Sequence, residues 1–238
     1  MPATNTGFRI SRAEDRGVTD LGWLDSRHSF SFGGYRDPAR AGFGVLRVLN
    51  DDTVAPGAGF GEHGHRDMEI ISLVLEGALE HHDSEGNREI LHPGDVQVMS
   101  AGRGIRHGEK NASSDEPVRF IQVWIEPDRA GHEPRHERIA ARPAPGGWSE
   151  IASGNPIGGG LRINQNASIT LADLADGASI VAEIPSGRAG YLHVAAGSVG
   201  FDGQRLAAGD AIELDAATTL TLSAIEPSTL LLFDLPGS

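Results

Sequence analysis

No cysteine occurs anywhere in the 238 residues. Its absence excludes disulfides, thiolate metal sites and cysteine nucleophiles, and it suits a reducing cytoplasm, where this protein is expected to reside. Basic residues are few: 20 Lys and Arg face 33 Asp and Glu, for a formal net charge of −13. Such a surface repels a phosphate backbone, and no run of Lys or Arg offers a local exception, so direct nucleic-acid binding is not expected. Long apolar runs are missing too. Nothing approaches the roughly 18 residues of a membrane span, and residues 1–17 lack the apolar core of a secretory signal.

In their place stand 32 glycines and 13 prolines, a composition that suits many short strands joined by tight turns. The length allows one large β domain or two small ones, either with a real core. These features together describe a soluble, acidic, all-β protein.

The stretch from Gly57 to Asn111 organises the rest. It holds two ligand-like clusters, His63-Gly64-His65 and His107-Gly108-Glu109. Members of each cluster are two residues apart, so on a strand both side chains point to one face. Two such strands facing one another in a small barrel would aim three imidazoles and a carboxylate at a common centre. That donor set suits a first-row transition metal and leaves coordination positions for substrate. Strands are expected around it over 43–50, 69–75, 78–83, 88–91, 96–99 and 118–125, with Phe8 and Ile10 in an opening strand. Asp51-Asp52 and Pro56-Gly57 read as punctuation before the first cluster. Val45, Val48, Ile71, Leu73, Val96 and Val98 are the apolar candidates for walls around the site.

Residues 126–150 are rich in Pro, Arg, Gly and Glu and read as a solvated linker or crossing segment. Further strands are expected over 161–163, 167–171 and 179–184. Beyond them the first half is echoed. Tyr191 to Val199 parallels Ile71 to Leu79, and Leu206-Ala207-Ala208-Gly209-Asp210 parallels Leu91-His92-Pro93-Gly94-Asp95, about 115 residues on. A duplicated β unit follows. The second copy has neither His-x-His nor His-x-Glu, so a metal centre belongs to the first.

Gly57, His63-x-His65, Glu69, then Gly94, His107 and Asn111 resemble the two cupin motifs in order and spacing. Three stretches, Asp25 to Tyr35, His63 to Glu69 and Gly102 to Glu109, narrow the resemblance to the pirin family, and to its bacterial, quercetinase-like members in particular. The motifs span residues 12–125; a degenerate second cupin covers most of the rest. The resemblance implies a bicupin of two face-to-face β-barrels: residues 1–135 with the metal site, and 136–238 as linker plus a C-terminal cupin without ligands. It implies one metal, typically iron as Fe(II), held by His63, His65, His107 and Glu109. Cu, Ni, Co and Mn accept the same N3O donors. It also implies cleavage of the heterocyclic ring of a quercetin-like flavonol by dioxygen with release of carbon monoxide. Glu109 would then take the proton of the flavonol hydroxyl. Gly108 and Leu73 depart from many relatives, which have Ser or Ala and Tyr there.

Two other readings keep the site and change its use. One is a non-enzymatic, iron-binding redox regulator acting through a protein partner, as described for some family members. The other is an isomerase or hydrolase acting on a small sugar or acid, which would need a polar pocket with Arg and Lys. Among the remaining candidates, Glu69 reads either as a group orienting a histidine or as a structural hydrogen-bonding partner. His81 and His82 are adjacent and so face opposite ways; both read as surface or partly buried. His28 reads as a hydrogen-bonded core residue, His193 as packing, and His92, His132 and His136 as solvated. Phe30, Phe32 and Tyr35 read as core or pocket mouth, and Arg66 and Arg103 as salt-bridge partners.

Overall fold

The computed structural model describes residues 7–237. The expectation about a secretory signal covers residues 1–17, of which 1–6 lie outside the described residues. No described helix is long and apolar enough to cross a membrane.

In the first half run β1 (Phe8–Ser11), β2 (Gly17–Asp20), β3 (Leu24–His28), β4 (Leu46–Val54), β5 (Gly59–His65), β6 (Glu69–Glu76), β7 (Leu79–Asp83), β8 (Arg88–Leu91), β9 (Asp95–Ser100), β10 (Ile105–Asn111), β11 (Val118–Ile125) and β12 (Arg135–Ala140). The second half comprises β13 (Ser149–Ser153), β14 (Leu161–Arg162), β15 (Ser168–Leu174), β16 (Ser179–Ile184), β17 (Arg188–Ala196), β18 (Ser198–Phe201), β19 (Gln204–Ala207), β20 (Ala211–Leu214), β21 (Thr218–Ala224) and β22 (Ser228–Pro236). Each half closes a seven-stranded sheet over a four-stranded one. The first barrel has the orders β12-β9-β6-β11-β4-β3-β2 and β5-β10-β7-β8; the second has β1-β20-β17-β22-β15-β13-β14 and β16-β21-β18-β19.

Strand for strand, β9-β6-β11-β4 matches β20-β17-β22-β15, and β5-β10-β7-β8 matches β16-β21-β18-β19. The duplication therefore extends to topology. Its turns match as well: Gly77 and Gly197 have φ of 76° and 74°, where a residue with a Cβ is strained. In each, an added Cβ would meet the carbonyl oxygen of a proline, Pro117 or Pro227.

The two seven-stranded sheets pack face to face. Leu46, Ile71, Leu73, Val96, Val98 and Val123 of the first barrel join Ile151, Ile169, Leu171, Tyr191, Leu231 and Phe233 of the second in one buried cluster. This corrects the expected role of Ile71, Leu73, Val96 and Val98, which face the partner barrel and not the metal site. Val45 packs on the same cluster. The sequence misassigns them because β6 and β9 are buried on both faces, and the polar members, Ser72 and Gln97, turn inward to Glu109 while their apolar neighbours turn to the partner barrel. For the same reason Leu73 lies outside the pocket.

Polar groups also cross the interface. Asn164 donates to Glu69 Oε1 at 3.0 Å and to Ser100 Oγ at 2.9 Å, and Ser100 Oγ donates to Glu69 Oε1 at 2.7 Å. Glu69 thus takes the structural role, with no hydrogen bond to a histidine among the described residues. One edge strand crosses over as well: β1 pairs with β20 of the second barrel, whereas β12 pairs with β9 and stays in the first. Part of the expected linker is therefore a strand of the first sheet, and the boundary expected between residues 135 and 136 falls within β12. Asp51 and Asp52 likewise lie inside β4 and do not punctuate its end.

Truncating the centre of the inter-barrel core removes a large buried ring and leaves a void. Phe233→Ala is predicted to lower unfolding stability by about 3–5 kcal/mol, measured by equilibrium urea denaturation; a loss under about 1 kcal/mol would show that the interface contributes little.

Candidate metal centre

Inside the first barrel, side chains form rows that run across the strands. Antiparallel pairing sets Gln97 opposite Ser72, Ser72 opposite Gln122, Gln122 opposite Asn50, and Asn50 opposite His28. All five are buried. This row forms a polar floor through five strands of an otherwise apolar sheet. The next row holds Phe120, Asp52 and Ser26.

Opposite this floor lie β5 and β10. His107 pairs with His63, and the register slips before Glu109 pairs with Phe60. The rings of His63, His65 and His107 lie 4.6, 4.5 and 4.9 Å apart by centroid. One nitrogen from each falls within 4.8 Å of the others. Glu109 offers an oxygen within the same distance of His107 and of His81. The structure thus gathers the three expected histidines and sets the expected carboxylate beside His107. At Gly108 an added Cβ would lie 2.5 Å from His82 Cε1, so the glycine sets the position of the His82 ring.

The donor chemistry fits a divalent transition ion. His107 is buried, and neither ring nitrogen has a hydrogen-bond partner among the described residues. Buried polar groups are rarely left so. His63 Nδ1 lies 2.8 Å from the Gly61 carbonyl oxygen, which can only accept; Nδ1 therefore carries the proton and Nε2 the lone pair. Burial, with the neighbouring histidines adding to it, lowers the pKa of His65 and of His107 to about 3. Both are neutral imidazoles at pH 7, the form that ligates.

Glu109 is held by a closed network. Gln97 Nε2 donates to Glu109 Oε1 at 2.7 Å and to Ser72 Oγ at 3.0 Å. Gln122 Nε2 donates to Glu109 Oε2 at 2.9 Å. Ser72 has one hydroxyl proton, and Gln122 Oε1 at 2.7 Å is better placed for it than Glu109 Oε1 at 3.3 Å. Each carboxylate oxygen thus has one amide donor.

A cavity of about 420 Å3 opens over the cluster. Its sides are Leu21, Leu24, Phe32, Phe60 and Trp124, with the polar floor below. Phe32 and Trp124 meet edge to face at 5.3 Å, and Trp124 meets His65 at 4.9 Å. Phe32 is thus at the pocket, whereas Phe30 is core against Tyr191 and Tyr35 stacks on His28. His28 is buried and bonds Thr19 and Asn50 at 2.8 and 2.9 Å, as a hydrogen-bonded core residue. Asp52 lines the cavity and accepts a bond from Ser26. Burial is the main cause that raises its pKa to about 7, with the Asp51 and Glu109 charges adding to it.

Two further histidines need correction. His81 is fully buried, and His136 is half-buried and stacked on it at 4.4 Å and 15°. Neither is solvated. His81 was missed because its meeting with Glu109 rests on the cross-strand pairing of β7 with β10, which carries no local motif. His136 was missed because its strand is a charged edge. His132 is also drawn in, bonding Asp128 at 2.7 Å, while His92 is exposed and His193 is buried on the face of β17 that carries Tyr191 and Ala195 into the inter-barrel core. Arg103 pairs with Glu133 at 2.6 Å.

Comparison with known proteins matches this geometry to a family. The Pirin model covers residues 8–125 and the "Quercetinase C-terminal cupin domain" model covers residues 150–235. The quercetin 2,3-dioxygenase of Escherichia coli K12 is 40% identical over 95% of this chain and 98% of its own length. The chain belongs to the pirin family. A pirin-like protein of Caulobacter vibrioides is 41% identical over 92% of this chain and 95% of its own. Among solved structures, the bacterial pirin YhhW of E. coli in complex with nickel(II) superposes with a TM-score of 0.91 at 39% identity, covering 97% of this chain and all of that one. The pirin fold is therefore shared with a protein whose structure holds nickel(II), and this chain carries a cluster of three histidines suited to a divalent metal.

Asp52 gives this pirin a pH dependence of known sign. A carboxyl whose folded pKa is raised contributes stability that is fully present below its unfolded value near 3.8 and is lost as pH rises through about 7. Asp52→Asn keeps the acceptor for Ser26 and removes the titration. Its melting temperature relative to the parent is predicted to rise by several degrees between pH 5 and pH 8; a flat difference would contradict the assignment.

Proposed function

We propose that this pirin is a metal-dependent dioxygenase that cleaves the heterocyclic ring of a quercetin-like flavonol with release of carbon monoxide. His63, His65, His107 and Glu109 are its metal ligands in this reading, and Fe(II) is the ion we assign, with Cu, Ni, Co and Mn able to occupy the same donors. The observation that carries the proposal is the cavity: an apolar, aromatic-walled slot leading straight to the three histidines. Its volume of about 420 Å3 falls within the roughly 300–1,000 Å3 usual for small-molecule sites. The names of the relatives point the same way. No Arg or Lys lines the cavity among the described residues, which weighs against the sugar or acid isomerase reading.

A divalent ion at this centre supplies Lewis acidity, lowering the pKa of a coordinated hydroxyl. The residues supply the rest. Phe32, Phe60 and Trp124 offer flat faces and edges to a planar ring system and keep water from it. Glu109, fixed by Gln97 and Gln122, presents a carboxylate to the flavonol hydroxyl and takes its proton. His65 and His107, neutral by burial, offer lone pairs and not protons at that point.

The test is oxygen consumption with quercetin by protein stripped of metal and reloaded anaerobically with Fe(II). Oxygen uptake with carbon monoxide release is expected, abolished in His107→Ala and reduced roughly 10²- to 10⁴-fold in Glu109→Gln. Metal-loaded protein that turns over no flavonol with any of the five metals would refute the substrate assignment.

A further inference from the structure

We propose that His81, Asp83 and His136 form a second site for a divalent transition metal, inside the same barrel and on the far side of Glu109 from the cavity. One ligand atom from each of the three lies within 4.8 Å of the others, the same spacing that holds for His63, His65 and His107. The donors are two imidazoles and a carboxylate, a set that suits Zn(II), Co(II) or Ni(II), with water completing a tetrahedron.

Each donor is prepared for the role. His81 has no exposed side-chain surface, yet its Nδ1 has no hydrogen-bond partner among the described residues. Its other nitrogen lies 3.3 Å from Asp83 Oδ2, long beside the roughly 2.7–2.9 Å of a charge-assisted bond. Asp83 is held from behind: the backbone amides of Glu85 and Asn87 both reach Oδ1 at 3.0 Å, and the Asn87 side chain reaches Oδ2 at 2.9 Å. Such outer bonds are what orient a ligating carboxylate.

The tautomer of His136 follows from its neighbour. Gln97 turns its amide nitrogen to Ser72 and Glu109, so its Oε1, 3.1 Å from His136 Nε2, must accept. His136 therefore carries its proton on Nε2 and its lone pair on Nδ1, donating its spare N–H as ligating histidines do. The rings stack almost parallel, and chelation requires them to open towards the ion. That movement is available to His136, because β12 is an edge strand bonded only to β9 and the residue is half-buried. Through Gln97 the second site touches the first, since one amide links His136 to Glu109.

The experiment is anaerobic Co(II) titration of metal-free protein, followed by visible absorption and by metal analysis after gel filtration. Wild type is expected to hold two equivalents. The double variant His63→Ala/His65→Ala is expected to keep one, and adding His136→Phe is expected to remove it. Phenylalanine keeps a flat ring against His81, and a thermal melt reports whether the fold survives; His136→Gln, which still donates to Gln97, serves if it does not. One equivalent in wild type, none in the double variant, or a surviving equivalent that ignores both His136 substitutions would each overturn the proposal.

Discussion

An ionised carboxylate inside a β-barrel is unstable unless its oxygens find donors, and the placement of Glu109 governs much of this structure. Burying such a charge unpaired costs several kcal/mol. Here Gln97 and Gln122 each donate to one oxygen, and Ser72 ties the two amides together. Those residues come from β9, β11 and β6, three adjacent strands of the large sheet, at directly paired positions. Shifting any one strand by a residue would turn its polar group out of the barrel. The register of the sheet and the hydrogen-bonded clamp on Glu109 are therefore one constraint.

The second barrel shows what the same frame becomes without that constraint. Tyr191 to Val199 parallels Ile71 to Leu79, which sets Leu192 where Ser72 stands. Pairing then places Ile212 and Leu232 beside Leu192, where the first barrel has Gln97 and Gln122. The polar floor is replaced by an apolar one, buried with Leu220 and Leu222. His193 points to the other side of β17 from Leu192 and takes no part in that interior.

What could be read from the sequence follows from which signals are local. The two histidine-containing clusters were legible because i, i+2 spacing on a strand fixes a shared face. The duplication was legible because its Gly turns recur. The facing of β6 and β9 was not, since both sides are buried and the polar members face the barrel interior, the reverse of the usual apolar-inward pattern. β12 escaped notice because its Arg, His and Glu residues belong to an edge strand that resembles a linker. β1 was legible from the alternation of Phe8 and Ile10, but its pairing was not, because its partner β20 lies some 200 residues away. Gln97, Gln122 and Asp52 carried no motif; only cross-strand pairing shows that they meet at one place.

The central claim is that His63, His65, His107 and the clamped Glu109 bind one ion together. Anomalous X-ray diffraction from crystals of Fe(II)-loaded protein tests it most directly. The account predicts a strong anomalous peak roughly 2.0–2.2 Å from a nitrogen of each histidine and from a Glu109 oxygen, with Gln97 and Gln122 still donating to that carboxylate. No peak among the three histidines, or one there with Glu109 turned away from the ion, would contradict it.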